Sequence, residues 1–121
     1  YGIVPRGDMV GKSSYATVLK TIVSHCIITN NTKDGVYFSE PGGDSNYLNA
    51  EDCAFVSCLI ADNGGRGVYS HIGSRSVFRF SNCTIVGNKS HGVYCGYSGA
   101  LRLLYENCII FGNGECDLWS G

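Results

Sequence analysis

One pattern is written four times along this chain, and it constrains the fold more than any other feature. It reads "HCIITNNTKDGVY" (25–37), "SCLIADNGGRGVY" (57–69), "NCTIVGNKSHGVY" (82–94) and "NCIIFGNGECDLW" (107–119). The shared cysteines are Cys26, Cys58, Cys83 and Cys108, spaced 32, 25 and 25 residues apart. Three residues before each stands Val23, Phe55, Phe80 or Tyr105, and two after it Ile28, Ile60, Ile85 or Ile110. Five after it comes Asn31, Asn63, Asn88 or Asn113, and ten after it Val36, Val68, Val93 or Leu118. Alternation with period two divides each repeat into three short strands.

A unit of about 25 residues in three short strands cannot bury its inner face alone, but stacked copies can. With strands about 4.8 Å apart, each residue lies over its counterpart in the next coil, so like residues form columns. The cysteine column reads as a reduced interior ladder, because free cysteine packs as a small hydrophobe. No Cys-x-x-Cys pair is present, and ligands stacked in one column surround a zinc ion poorly. The asparagine column falls at a turn, where side-chain amides can chain together and the backbone can turn left-handed. These columns predict an all-β parallel β-helix of about four coils, each with three short strands.

The unit resembles the coil of right-handed, single-stranded parallel β-helix proteins of the pectin lyase-like superfamily. Asn82-Cys83 and Asn107-Cys108 are similar to that superfamily's short turn between two strands; Ser57 and His25 stand there in the other coils. The resemblance spans essentially residues 1–121, as one β-helix domain or an excerpt of a longer solenoid. "GIV" (2–4) matches the Gly-Val-Tyr strand, so coils of 33, 32, 25 and 25 residues run from Gly2 to Asp117. The first two carry longer loops, "PRGDMVGKSSY" (5–15) and "SEPGGDSNY" (39–47). Unpaired sheet edges at coil ends invite pairing with another copy, so self-association through uncapped ends is expected.

With the valines inward, Tyr37, Tyr69, Tyr94 and Trp119 point outward as an aromatic column. The resemblance implies that this strand face is the usual polysaccharide groove. Aromatic rings with a polar edge suit sugars; equally, aromatics are good strand residues that stack on each other. A second column, Asp34, Arg66, His91 and Cys116, runs just before the first. The polygalacturonase family sets Asn-Thr-Asp, Asp-Asp and His-Gly elements on consecutive coils near this strand. "NTKDG" (31–35) loosely resembles the first and His91-Gly92 the third, but Arg66-Gly67 stands where the acidic pair belongs. Glycoside hydrolysis needs two carboxyls, about 5–5.5 Å or 6.5–9.5 Å apart, and Asp34 has no such partner in the adjoining coil, which argues against that chemistry.

A polysaccharide lyase would need less. Arg66 would neutralise a uronate, His91 or His71 would take the proton, and Asp34 with Glu40 and Asp44 would contribute to a calcium site. "GKS" (11–13) lacks the glycine spacing and following helix of a phosphate loop. A formal charge of −1 gives no basic footprint for nucleic acid, and no apolar run reaches the roughly 18 residues of a membrane span. No cofactor or metal site is otherwise expected. Three readings stand: a carbohydrate-binding module, a non-catalytic structural or self-associating repeat protein, and a minimal polysaccharide lyase. An extracellular location follows only from the resemblance.

Overall fold

The computed structural model describes residues 1–4, 20–38, 52–70, 77–96 and 102–120. Twelve strands fill them: β1 (Ile22–Ser24), β2 (Ile27–Thr29), β3 (Val36–Phe38), β4 (Cys53–Val56), β5 (Leu59–Ala61) and β6 (Val68–Ser70). The remaining six are β7 (Val77–Ser81), β8 (Thr84–Val86), β9 (Val93–Cys95), β10 (Arg102–Glu106), β11 (Ile109–Phe111) and β12 (Leu118–Ser120). Every third strand joins one sheet, giving the orders β1-β4-β7-β10, β2-β5-β8-β11 and β3-β6-β9-β12. All pairings are parallel. This is a three-sided parallel β-helix of four coils, as the repeat predicts.

The register is the repeat itself. Val23 pairs with Phe55, Phe55 with Phe80 and Phe80 with Tyr105; Ile28, Ile60, Ile85 and Ile110 follow in one line. These inward columns, with Val36, Val68 and Val93, make the core. The Phe55 and Phe80 rings stack 4.9 Å apart at 6°, and Tyr105 continues the stack from Phe80 at 5.1 Å. Burying each phenylalanine contributes about 1.5–3 kcal/mol.

The ladder cysteines sit at the short turn between the first and second sheets, with their thiols inward. Cys58, Cys83 and Cys108 donate to the carbonyls of Val23, Phe55 and Phe80 in the preceding coil, at 3.3, 3.4 and 3.3 Å. The turn requires a left-handed residue just before each cysteine: His25, Ser57, Asn82 and Asn107 all have φ between 50° and 54°. His25 therefore fills a turn position, as its place in the repeat implies.

All seven cysteines are free thiols, and only Cys116 is exposed. Burial pushes the Cys95 thiol up to about 12 and raises those of Cys53 and Cys83. A maleimide at pH 8 is therefore expected to modify Cys116 readily, and Cys53, Cys58, Cys83 and Cys95 roughly 100-fold more slowly or less. Mass spectrometry of the native protein would read this, and equal labelling of all seven would mean that the interior is not closed.

The asparagine column forms the predicted amide ladder. Asn31 Nδ2 donates to Asn63 Oδ1 at 2.9 Å, Asn63 to Asn88 at 2.8 Å and Asn88 to Asn113 at 2.9 Å. Each accepting oxygen also takes the backbone N–H of the donor residue, at 3.1–3.2 Å. The second amide proton of Asn63, Asn88 and Asn113 goes to the carbonyl of Ile28, Ile60 and Ile85. The left-handed angle expected at these asparagines lies one residue earlier, at Asn30, Asp62, Gly87 and Gly112. Turning the chain there leaves the ladder side chains facing one another, with Asn63 and Asn88 buried and Asn31 and Asn113 half-buried at the ends.

Candidate functional site

The third sheet, β3-β6-β9-β12, turns Val36, Val68, Val93 and Phe38 inward and Tyr37, Tyr69, Tyr94 and Trp119 outward. Tyr37, Tyr69 and Tyr94 are paired in register with one another and Tyr94 with Trp119. Ring centroids lie 5.2 Å apart for Tyr37–Tyr69, 5.4 Å for Tyr69–Tyr94 and 4.2 Å for Tyr94–Trp119. The last pair is stacked nearly parallel at 6°, while the others tilt by 37° and 49°. Each ring thus covers part of the next, and the end ring Trp119 is exposed.

A fifth ring, missed in the sequence, extends the column. Tyr1 packs against Tyr37 with ring centroids 4.6 Å apart and a tilt of 37°, and Ile3 bridges to Val36 in parallel register. By the repeat, Tyr1 belongs to the column of Asp34, Arg66, His91 and Cys116, and Val4 holds the tyrosine slot. Tyr1 nevertheless reaches the ring of Tyr37, one register position away. The one available signal was that mismatch at Val4. Lys33, also missed, places Nζ 5.3 Å from the Tyr1 ring.

The second column packs against the first. The Arg66 guanidinium lies 4.1 Å from the Tyr69 centroid and 4.7 Å from that of Tyr94. Such contacts contribute about 0.5–2 kcal/mol, more as water is excluded. Asp34, 7% exposed, accepts the Arg66 backbone N–H at 2.7 Å and faces its Nη1 at 3.8 Å. Asp34 thus orders the backbone of the next coil and partly balances the Arg66 charge. Arg66 Nε is buried without a hydrogen-bond partner. Burial raises the Tyr69 hydroxyl above its ordinary range, against the opposing pull of Arg66.

His91 meets Tyr94 edge to face at 4.9 Å. Its Nδ1 lies 2.9 Å from Ser90 Oγ and 3.3 Å from Glu115 Oε2. Hydroxyl and carboxylate share one ring nitrogen, so the imidazole cannot relay a proton between them as a nucleophile–base–acid triad requires. Asp34, Arg66 and His91 are thus brought beside the aromatic column. His71, Glu40 and Asp44, with both long loops, lie outside the described residues. Among the described residues, no cluster of three or more His, Cys, Asp or Glu could hold a metal ion.

A family model described as right handed beta helix region matches residues 16–120. The chain belongs to the right-handed β-helix family. That match covers most of the chain and agrees with the three parallel sheets. No curated protein and no solved structure matches it. As a right-handed β-helix, it has its aromatic and charged columns on one outer side of the coil stack.

The three Asn-x-Ser/Thr triplets fall on structural positions of this β-helix. Asn30 and Asn82 are exposed left-handed turn residues, while Asn88 is 1% exposed and fully engaged in the ladder.

Proposed function

We propose that this right-handed β-helix is a non-catalytic module that binds polysaccharide along its outer aromatic column. One observation carries the reading: five aromatic rings run continuously over four coils of one face, with Lys33 and Arg66 set among them. Tyrosine edges combine apolar contact with a hydroxyl able to donate and accept. A glycan laid along the solenoid axis would meet such an edge about every 4.8 Å.

A second reading draws on the same geometry. The ring-to-ring contacts occupy much of each aromatic face, which favours a spine that holds neighbouring coils together. Removing hydroxyls while keeping rings separates the two. Tyr69→Phe with Tyr94→Phe preserves the stack. Under the binding reading, this pair is expected to weaken glycan affinity about tenfold, the equivalent of roughly 1.4 kcal/mol, at unchanged thermal stability.

The assay is retention on a panel of acidic and neutral polysaccharides, with unsaturated-product absorbance followed in the same wells, with and without calcium. Retention without product supports the binding module. Product formation would overturn its non-catalytic character and make Arg66 and His91 the first residues to replace. Silence on every glycan would leave the structural or self-associating reading.

A further inference from the structure

The asparagine ladder has a direction, and its last rung is unlike the rest. Asn31, Asn63 and Asn88 each send their side-chain amide and backbone N–H to the Oδ1 of the asparagine one coil further on. For Asn113 the same two donors turn to Asp117, four residues ahead in its own coil. Asn113 Nδ2 reaches Asp117 Oδ1 at 2.8 Å and the backbone N–H reaches it at 3.1 Å. Bond for bond, the carboxylate oxygen reproduces what a fifth asparagine would supply.

The position of Asp117 in the repeat makes this substitution specific. Its counterparts are Gly2, Gly35, Gly67 and Gly92. A Cβ at any of these would lie 2.7–2.9 Å from the Nδ2 of the next coil's asparagine and 2.5–2.8 Å from the next coil's backbone oxygen. A side chain in this column is therefore compatible only with a coil over which no further asparagine coil stacks in register. Asp117 carries that side chain, and its oxygen occupies the vacated acceptor position.

We propose that Asp117 terminates the amide ladder, its carboxylate standing in for the fifth ladder asparagine that its own Cβ excludes. Each amide dipole in the ladder points its N–H toward this end, so the terminal donors face outward together. A carboxylate is the strongest side-chain acceptor for such a pair, since charge-assisted hydrogen bonds are about twice as strong as neutral ones. This termination also bears on self-association: a second copy continuing this ladder head to tail would meet the Asp117 Cβ. The proposal goes beyond glycan binding and does not depend on it.

Hydrogen exchange of the asparagine side-chain and backbone amides, resolved by NMR, tests the assignment in wild type, Asp117→Ala and Asp117→Asn. In Asp117→Ala the Asn113 amides are expected to exchange at least tenfold faster while those of Asn63, two coils away, keep their rate. Asp117→Asn retains an accepting oxygen and is expected to keep most of the protection. Unchanged exchange at Asn113 in Asp117→Ala would overturn the proposal. So would equal acceleration at Asn63 and Asn113, which would indicate general loosening, or equal loss in the two variants.

Discussion

Gly67→Ala is expected to split the coil stack between its second and third turns. The added methyl would sit 2.5 Å from the Gly92 carbonyl oxygen, 2.9 Å from Asn88 Nδ2 and 2.9 Å from Ile85 Cγ2. Two of these three neighbours are fixed: one is backbone, and the other is a ladder amide bonded to Ile60 and Asn113. The obstacle is space, since Gly67 is not among the residues with positive φ. Relief requires the third coil to move away from the second, which stretches the Gly67–His91 and Val68–Gly92 backbone bonds, both 2.9 Å.

Overpacking of this kind costs on the order of 3 kcal/mol, or a fall of roughly 10–20 °C in melting temperature. Because stability in a stacked-repeat protein is close to a sum of coil and interface contributions, unfolding should also become less cooperative. Gly112→Ala supplies the contrast. Gly112 has φ +69° and no atom within 4 Å of an added Cβ, so only the left-handed strain of about 1–2 kcal/mol applies. Circular dichroism melts of the two variants check this; equal shifts would mean that close approach at Gly67 is not what constrains the column.

Asn63→Ala is the second large effect. Asn63 is fully buried. It accepts from Asn31 Nδ2 and the Asn31 backbone and donates to Ile28 O and Asn88 Oδ1. Truncation strands all of these partners at once. Each buried polar group left unsatisfied costs about 1–3 kcal/mol, so a loss of roughly 3 kcal/mol or more is expected in denaturant unfolding. Asn63→Asp keeps the size and offers no remedy near neutral pH, because a carboxylate presents acceptors alone to Ile28 O and Asn88 Oδ1. Near-wild-type stability in both variants would show that the ladder contributes no net stability.

The ladder also marks how far residue patterns could be read. That Asn31, Asn63, Asn88 and Asn113 would chain their amides followed from identical residues at one repeat position. Where the backbone turns left-handed did not. Those positions hold His25, Ser57, Asn82 and Asn107, then Asn30, Asp62, Gly87 and Gly112, a mixture of residue types. What unites the second set is tolerance of the same backbone region, a weaker signal than identity. The outward site was legible as a column of Tyr37, Tyr69, Tyr94 and Trp119, because alternation assigns their side. Tyr1 was not, since it joins that column from the neighbouring register, where Val4 holds the tyrosine slot.

The sequence by itself determined the coil count, the columns and which side chains face inward. A period of two and a repeat of about 25 residues leave little freedom in what stacks on what. Only the tertiary structure decided how neighbours in adjacent columns use each other. It set Arg66 against two tyrosine rings with Asp34 holding its backbone, gave Ser90 and Glu115 the same nitrogen of His91, and turned Asn113 back to Asp117. Those outcomes depend on side-chain torsions and on the space that the next coil fills or leaves open, neither of which a repeat pattern encodes.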